Sequence, residues 1–162
     1  MTVRILTGID QAEYTALLAQ THFQHKECFR FSPSAIEDTP LIGGTSEHFT
    51  LGAFSDADCL VGIMSFARDT HEKMRHKGLL FRMYVAGEAA GQGIGRRLLG
   101  ETISRARLLP GLEAVILTVI ASNAPARNLY ASEGFTAFSL EPRALKTGDT
   151  YLDEEQMRLD LL

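Results

Sequence analysis

Residues Leu79 to Pro110 read LLFRMYVAGEAAGQGIGRRLLGETISRARLLP. An apolar run, Leu79 to Val85, passes through small residues into Gly91-Gln92-Gly93-Ile94-Gly95, and a helical pattern follows at once. That order predicts a strand, a tight glycine turn and a helix N-terminus. The first turn of a helix offers backbone N–H groups with no partner inside the helix, and the positive end of the macrodipole, so it suits an anion. Glycines allow positive φ and let the backbone come close to that anion. The ligand expected here is phosphorylated.

Two nucleotide readings fail on the residues themselves. A P-loop ends in Gly-Lys-Ser/Thr, whereas Gly95 is followed by Arg96-Arg97. A dinucleotide fingerprint runs G-x-G-x-x-G with an acidic residue after the next strand. Here the glycines run G-x-G-x-G, and that strand ends in Ala121-Ser122-Asn123. The stretch Val85 to Gly95 instead resembles the V-x-P-x-x-R-G-x-G-x-G turn of the GCN5-related N-acetyltransferases. A second block supports the resemblance: Leu117 to Phe135 read LTVIASNAPARNLYASEGF, an apolar strand, an Asn, a short helix with Leu-Tyr, then Gly-Phe. The tail, with Glu141 to Lys146, Tyr151 to Glu154 and Met157, is similar to that of a group of small bacterial members. The likeness is good over roughly residues 45–162 and poor before them. Two departures stand out: Ala90 replaces the usual Arg or Gln, and Gly87 the usual Pro.

The resemblance implies acetyl-CoA as cosubstrate and no metal. It places the coenzyme along Met83, Tyr84 and Val85, over Gly91, Gln92, Gly93, Ile94, Gly95 and Arg96, and beside Asn123 and Tyr130. Backbone N–H groups around Met83 and Val85 would bond the pantetheine arm and polarise the thioester carbonyl. Arg96 and Arg97 would supply the charge missing at Ala90. Tyr130 is the catalytic candidate, a phenol positioned to protonate the departing sulfur. The implied activity is transfer of an acetyl group to a primary amine of a small molecule or peptide, by direct attack in a ternary complex. The alternative is a non-catalytic acyl-CoA-binding or sensory domain. The central strand carries no carboxylate to serve as general base. Glu47, His48 and Glu88 are the candidates, each also readable as a solvated surface residue, and a water chain is another route.

Composition sets the outer bounds. A chain of 162 residues suits one domain, here residues 1–162, with 22–45 as the variable region expected to wall the acceptor site. Apolar content of 45% and charged content of 22% are ordinary for a globular protein. A net charge of −4 gives a nucleic-acid partner no electrostatic support. No apolar run approaches a membrane span and the N-terminus lacks a signal-peptide core, so a cytoplasmic protein is expected, with no membrane partner; a homodimer stays open. Cys28 and Cys59 are expected as free core thiols rather than a disulfide. His22, His25 and Cys28 fit no zinc spacing and are expected at the surface.

The expected fold is α/β (α+β). It has a mixed, mostly antiparallel sheet of six to seven strands, one parallel pair near 79–85 and 113–120, and about four flanking helices. Thr2 to Leu6 alternate as a strand. Asp10 would cap a helix with Glu13 as its capping-box partner, and Tyr14, Leu17, Leu18 and Phe23 would form its apolar face. Ser34 to Asp38 would form a short helical turn. His48 to Phe54 and Cys59 to Arg68 form a hairpin around Asp56-Ala57-Asp58. On the central strand, Leu79, Phe81, Met83 and Val85 should share one face. A helix from about Gly93 to Leu109 follows, then a buried strand from Glu113 to Ile120, a helix capped by Asn123 and ended by Gly134, and strands near 135–140 and 156–161.

Overall fold

The computed structural model describes residues 1–28, 40–41 and 43–162. Seven strands form one sheet: β1 (Thr2–Ile5), β2 (His48–Phe54), β3 (Leu60–Arg68), β4 (Lys77–Val85), β5 (Ala114–Ile120), β6 (Thr136–Thr147) and β7 (Thr150–Asp160). Their order across the sheet is β1-β2-β3-β4-β5-β7-β6. Every neighbouring pair is antiparallel except β4 and β5. Among the described residues there are three α-helices, α1 (Gln11–Gln24), α2 (Ile94–Arg107) and α3 (Ala124–Ser132), not about four. The turn expected at Ser34 to Asp38 lies outside the described residues.

α2 forms where its apolar spacing requires. Ile94, Leu98, Leu99, Ile103 and Ala106 are buried, and burying each large aliphatic among them contributes about 1.5–3 kcal/mol over leaving it exposed. The helix seats directly on β3 because Gly62 has no side chain; a Cβ there would lie 2.9 Å from Ile94 and 3.1 Å from Leu98. On α1, Tyr14, Leu17, Leu18, Thr21 and His22 are buried, whereas Phe23 is 79% exposed. Phe23 therefore lies off the buried face, which runs on through Thr21 and His22 instead. His22 belongs to that face and not to the surface, while His25 is exposed.

Asp10 is committed elsewhere than to α1. Its carboxylate accepts from Arg4 Nη2 at 2.7 Å and Nη1 at 2.9 Å, and from the Thr7 backbone N–H at 2.7 Å. It thus closes a box around a 3₁₀ turn, Gly8–Asp10, and Glu13 takes no part. The Arg4 hydrogen bonds hold the Asp10 carboxyl well below the usual carboxylate range. A depressed folded value means the stabilisation is present above about pH 4 and is lost as pH falls through that folded value. Asp10→Ala is expected to lower stability by about 1–2 kcal/mol in urea titrations at pH 7, with the gap from wild type closing in acid. A gap that stays constant down to pH 2 would show the carboxylate charge to be immaterial.

The terminal strands are longer than the sequence pattern suggested. β6 and β7 continue past Leu140 as a hairpin closed by Gly148-Asp149, with Gly148 at φ +59 in the first central position, as a type II′ turn needs. β6 is exposed along most of its length, so no apolar alternation marks it. Cys59, expected in the core, is exposed where the β2–β3 turn ends.

Candidate functional site

β4 is where the sheet opens. It pairs with β5 only at Lys77, Gly78 and Leu79, opposite Ala114, Val115 and Ile116. Beyond that the strands part. On its other side, β4 pairs Phe81 with Ser65 and Tyr84 with Ile63, so Arg82 and Met83 together oppose Met64 in a β-bulge. Arg82 sits at φ +52, a left-handed conformation costly for a side chain of its size. The bulge overturns the simple alternation expected of this strand. Paired residues share a face. Phe81 and Tyr84 therefore lie together, and Arg82 reaches from them to α1, donating to Tyr14 Oη at 3.2 Å and to the Pro40 carbonyl at 3.0 Å. Leu80, Met83 and Val85 turn to the opposite face, where Met83 and Val85 border Gly95 of α2.

The parting of β4 and β5 leaves a cleft of about 330 Å³. Residues 79–84 form one wall, Leu117 to Ile120 the other, with Asn123, Ala126 and Tyr130 of α3 and Glu154 of β7. Ala86 donates its N–H to Val61 on the β3 side at 2.9 Å. Backbone alternation then turns the N–H groups of Val85 and Met83 towards the cleft, where no strand pairs with them.

In the turn before α2, Gly91 and Gly93 adopt φ +77 and +76, as the sequence turn required. A Cβ at either would meet nothing within 4 Å, so the turn faces open space. Gly95 is different. It has no positive φ; a Cβ there would lie 2.6 Å from Met83 Cε, so glycine permits close packing of the helix start on β4. Gln92 is exposed and Ile94 is buried beneath the turn. The Gly87 N–H donates to Gln24 Oε1 at 3.2 Å, a bond that the family's usual proline could not make. Arg96 is not aimed over the turn: it pairs with Glu133 at 2.6 Å and donates to Ser132 Oγ at 3.0 Å, tying α2 to α3.

Asn123 caps α3, accepting from the Ala126 N–H at 3.3 Å, and also lines the cleft. Tyr130 is buried, with its hydroxyl donating to Met83 Sδ at 3.3 Å and its ring edge-on to Phe135. Burial, and secondarily Tyr84, raises its phenol well above the ordinary tyrosine range, so the proton is held at every physiological pH. Met83, Tyr130 and Gly95 thus join the glycine turn to the cleft.

None of the sequence candidates for a general base lines the cleft. Glu47 pairs with Arg68 at 2.9 Å and Arg75 at 2.8 Å. Glu88 is exposed and accepts from Gln20; His48 begins β2. Among the described residues, the carboxylate that lines the cleft is Glu154, only 4% exposed; the sequence placed it in the tail motif but not among the candidate bases. Its phase along β7 matches Gln156 and Arg158, a pattern that reads as solvent-facing; only pairing with the splayed β5, opposite Ile120, brings it to the cleft. No single-strand signal could have found it.

The fold recurs in solved structures. A GNAT-family acetyltransferase from Streptococcus pneumoniae matches with a TM-score of 0.83 and 24% identity, over 98% of both chains. yncA of Salmonella typhimurium, solved with its cofactor acetyl-CoA, matches with a TM-score of 0.81 and 23% identity, over 100% of this chain and 94% of that one. A ribosomal-protein-alanine N-acetyltransferase from Brucella melitensis matches with a TM-score of 0.80 and 24% identity, over 99% of each. No curated protein matches the chain. The model of the Acetyltransferase (GNAT) family matches residues 12–135, well over half of the chain, and the chain therefore belongs to the GNAT family of acetyltransferases.

Proposed function

We propose that this protein is an N-acetyltransferase that moves an acetyl group from acetyl-CoA to a primary amine of a small molecule or peptide, by direct attack in a ternary complex. The observation that carries the reading is the cleft between β4 and β5, lined by a buried phenol donor and joined through Met83 to the glycine turn that opens α2. Gly91 to Arg96 would hold the pyrophosphate on the free N–H groups of the first turn of α2. Met83 and Val85 would bond the pantetheine arm through their backbone N–H groups. The bound coenzyme supplies an activated acyl thioester. Those same N–H groups stabilise negative charge on the carbonyl oxygen, and Tyr130 gives its proton to the departing sulfur. The acceptor enters from the face that carries Arg82, Tyr84 and the chain at Pro40-Leu41, within the stretch proposed to wall the acceptor site.

Ala90 and the engagement of Arg96 with Glu133 favour weak phosphate binding, which suits the second reading, a non-catalytic acyl-CoA sensor. Two measurements test the pair of readings. Saturating acetyl-CoA should raise the melting temperature, since ligand at about 100 times Kd adds ~2.7 kcal/mol; no rise would refute coenzyme binding. Release of free CoA thiol with at least one member of an amine panel should then follow, and binding without release would favour the sensor.

A further inference from the structure

Glu154 stands between two cavities. One is the cleft; the other is a polar recess of about 180 Å³ lined by Thr118, Ser139, Glu141, Glu154 and Gln156. The strand registers explain the recess. Ile120 and Thr118 of β5, Glu154 and Gln156 of β7, and Ser139 and Glu141 of β6 are paired partners and share one face. That is the face opposite α3, because the residue next to Glu154 in β7, Glu155, points the other way and pairs with Arg127 of α3 at 2.6 Å. It is also the face of Tyr84 and Arg82, from which the acceptor is proposed to enter. α3, with Tyr130 and Asn123, lies on the coenzyme side.

A general base for an ammonium substrate needs three properties. It must be anionic when the amine arrives, it must border the cavity where the amine meets the thioester, and it must have a route to return the proton to water. Glu154 borders the reacting cleft, and its neighbours Ser139, Gln156 and Glu141 are exposed and lead to solvent. Among the described residues, the charged and titratable groups that line the same two cavities are Arg82 and Tyr84 from β4, Tyr130 from α3 and Glu141 from β6.

We propose that Glu154 is the general base, taking a proton from the acceptor ammonium, directly or through one water, and passing it out along the Thr118–Ser139–Glu141–Gln156 recess. This rests on the N-acetyltransferase reading. The balance closes. The ammonium gives one proton to the Glu154 carboxylate, and the nitrogen lone pair forms the C–N bond. The C–S bond breaks with its electron pair going to sulfur. Sulfur takes the Tyr130 proton, and the second nitrogen proton restores the phenol. The products are the amide, free CoA thiol and one proton to solvent.

The test is kcat/KM for the amine identified by the thiol-release panel, at saturating acetyl-CoA, across pH 6–10, for wild type and Glu154→Gln. The amide should lower kcat/KM at least ~10-fold at pH 7. The loss should shrink about tenfold per pH unit towards the amine pKa, because solvent then delivers neutral amine without a base. Coenzyme Kd should stay at the wild-type value. Glu154→Asp keeps a carboxylate and serves if the amide unfolds β7: it should show a lower rate with the wild-type pH profile. Wild-type activity in Glu154→Gln, an equal loss at every pH, or an Asp variant with the profile of solvent deprotonation would overturn the role of Glu154 alone. Wild-type protein that binds acetyl-CoA yet acetylates no amine would overturn the acyl-transfer reading and this role with it.

Discussion

Replacing Tyr130 with phenylalanine is expected to lower kcat by on the order of 10²-fold, the lower range of general acid catalysis, while acetyl-CoA affinity stays nearly intact. The substitution keeps the ring against Phe135 and removes only the hydroxyl. That hydroxyl donates to the Met83 thioether, a weak acceptor, so its loss leaves no strongly demanding group unpaired. The stability cost should therefore be below about 1 kcal/mol. Two pH effects accompany it. Because burial holds the phenol proton well above the usual tyrosine value, no limb of the wild-type rate profile between pH 6 and 9 should belong to Tyr130. Folded Tyr130 keeps its proton where the unfolded chain loses it, so stability is full below about pH 10 and declines above. Tyr130→Phe should decline less. Single-turnover kinetics, with chemistry isolated from product release, decide the first point. A change in kcat under threefold would remove Tyr130 from the chemistry and leave it as core.

Gly93→Val is expected to weaken coenzyme binding by about 10²-fold, or ~2.7 kcal/mol. The fold has room for the side chain, since a Cβ at Gly93 would meet nothing within 4 Å. Two other costs remain. A β-branched residue at φ +76 is strained by roughly 1–3 kcal/mol, which lowers stability or relaxes the turn. The added methyl groups would also stand where phosphate must approach the N–H groups. Calorimetric titration with CoA measures the loss, and Gly93→Ala, with less bulk at the same φ, should fall between variant and wild type. A folded Gly93→Val with wild-type affinity would mean that the phosphates lie elsewhere.

The sequence pointed to these two candidates for different reasons. Gly93 was legible because a turn between a strand and a helix has few solutions, and glycine spacing reports them. Tyr130 was legible only through resemblance; as a pattern it is one aromatic on a short helix. The sheet's interior strands were readable from apolar runs, and α2 from its stripe. What escaped was set by partners distant in sequence. Asp10 looked like a helix cap until Arg4 and Thr7 claimed it. Phe23 lies about half a turn of the helix away from the Tyr14 face, so it meets solvent while Thr21 and His22 of the same turn are buried. The alternation along β4 failed at one residue, because a bulge depends on what the facing strand does. Glu154 was marked only as part of the tail motif and not as a base, since its environment is made by other strands and a helix.

The bulge in β4 also bears on where the sheet presents open backbone donors. A row of open backbone donors normally belongs to a sheet's rim, where it invites another chain to add a strand. Here that row lies in the middle of the sheet, between a four-stranded half and a three-stranded half joined by three residue pairs. The actual rims are poor templates. β1 is four residues long, and β6 is broken around Pro142 and Arg143, where the register shifts and Arg143 takes φ +58. A slender amide-bearing molecule can reach the inner row, whereas a second polypeptide strand finds no blunt side to extend. The place where the proposed coenzyme would pair with the backbone is thereby separate from the rims at which strand addition leads to aggregation.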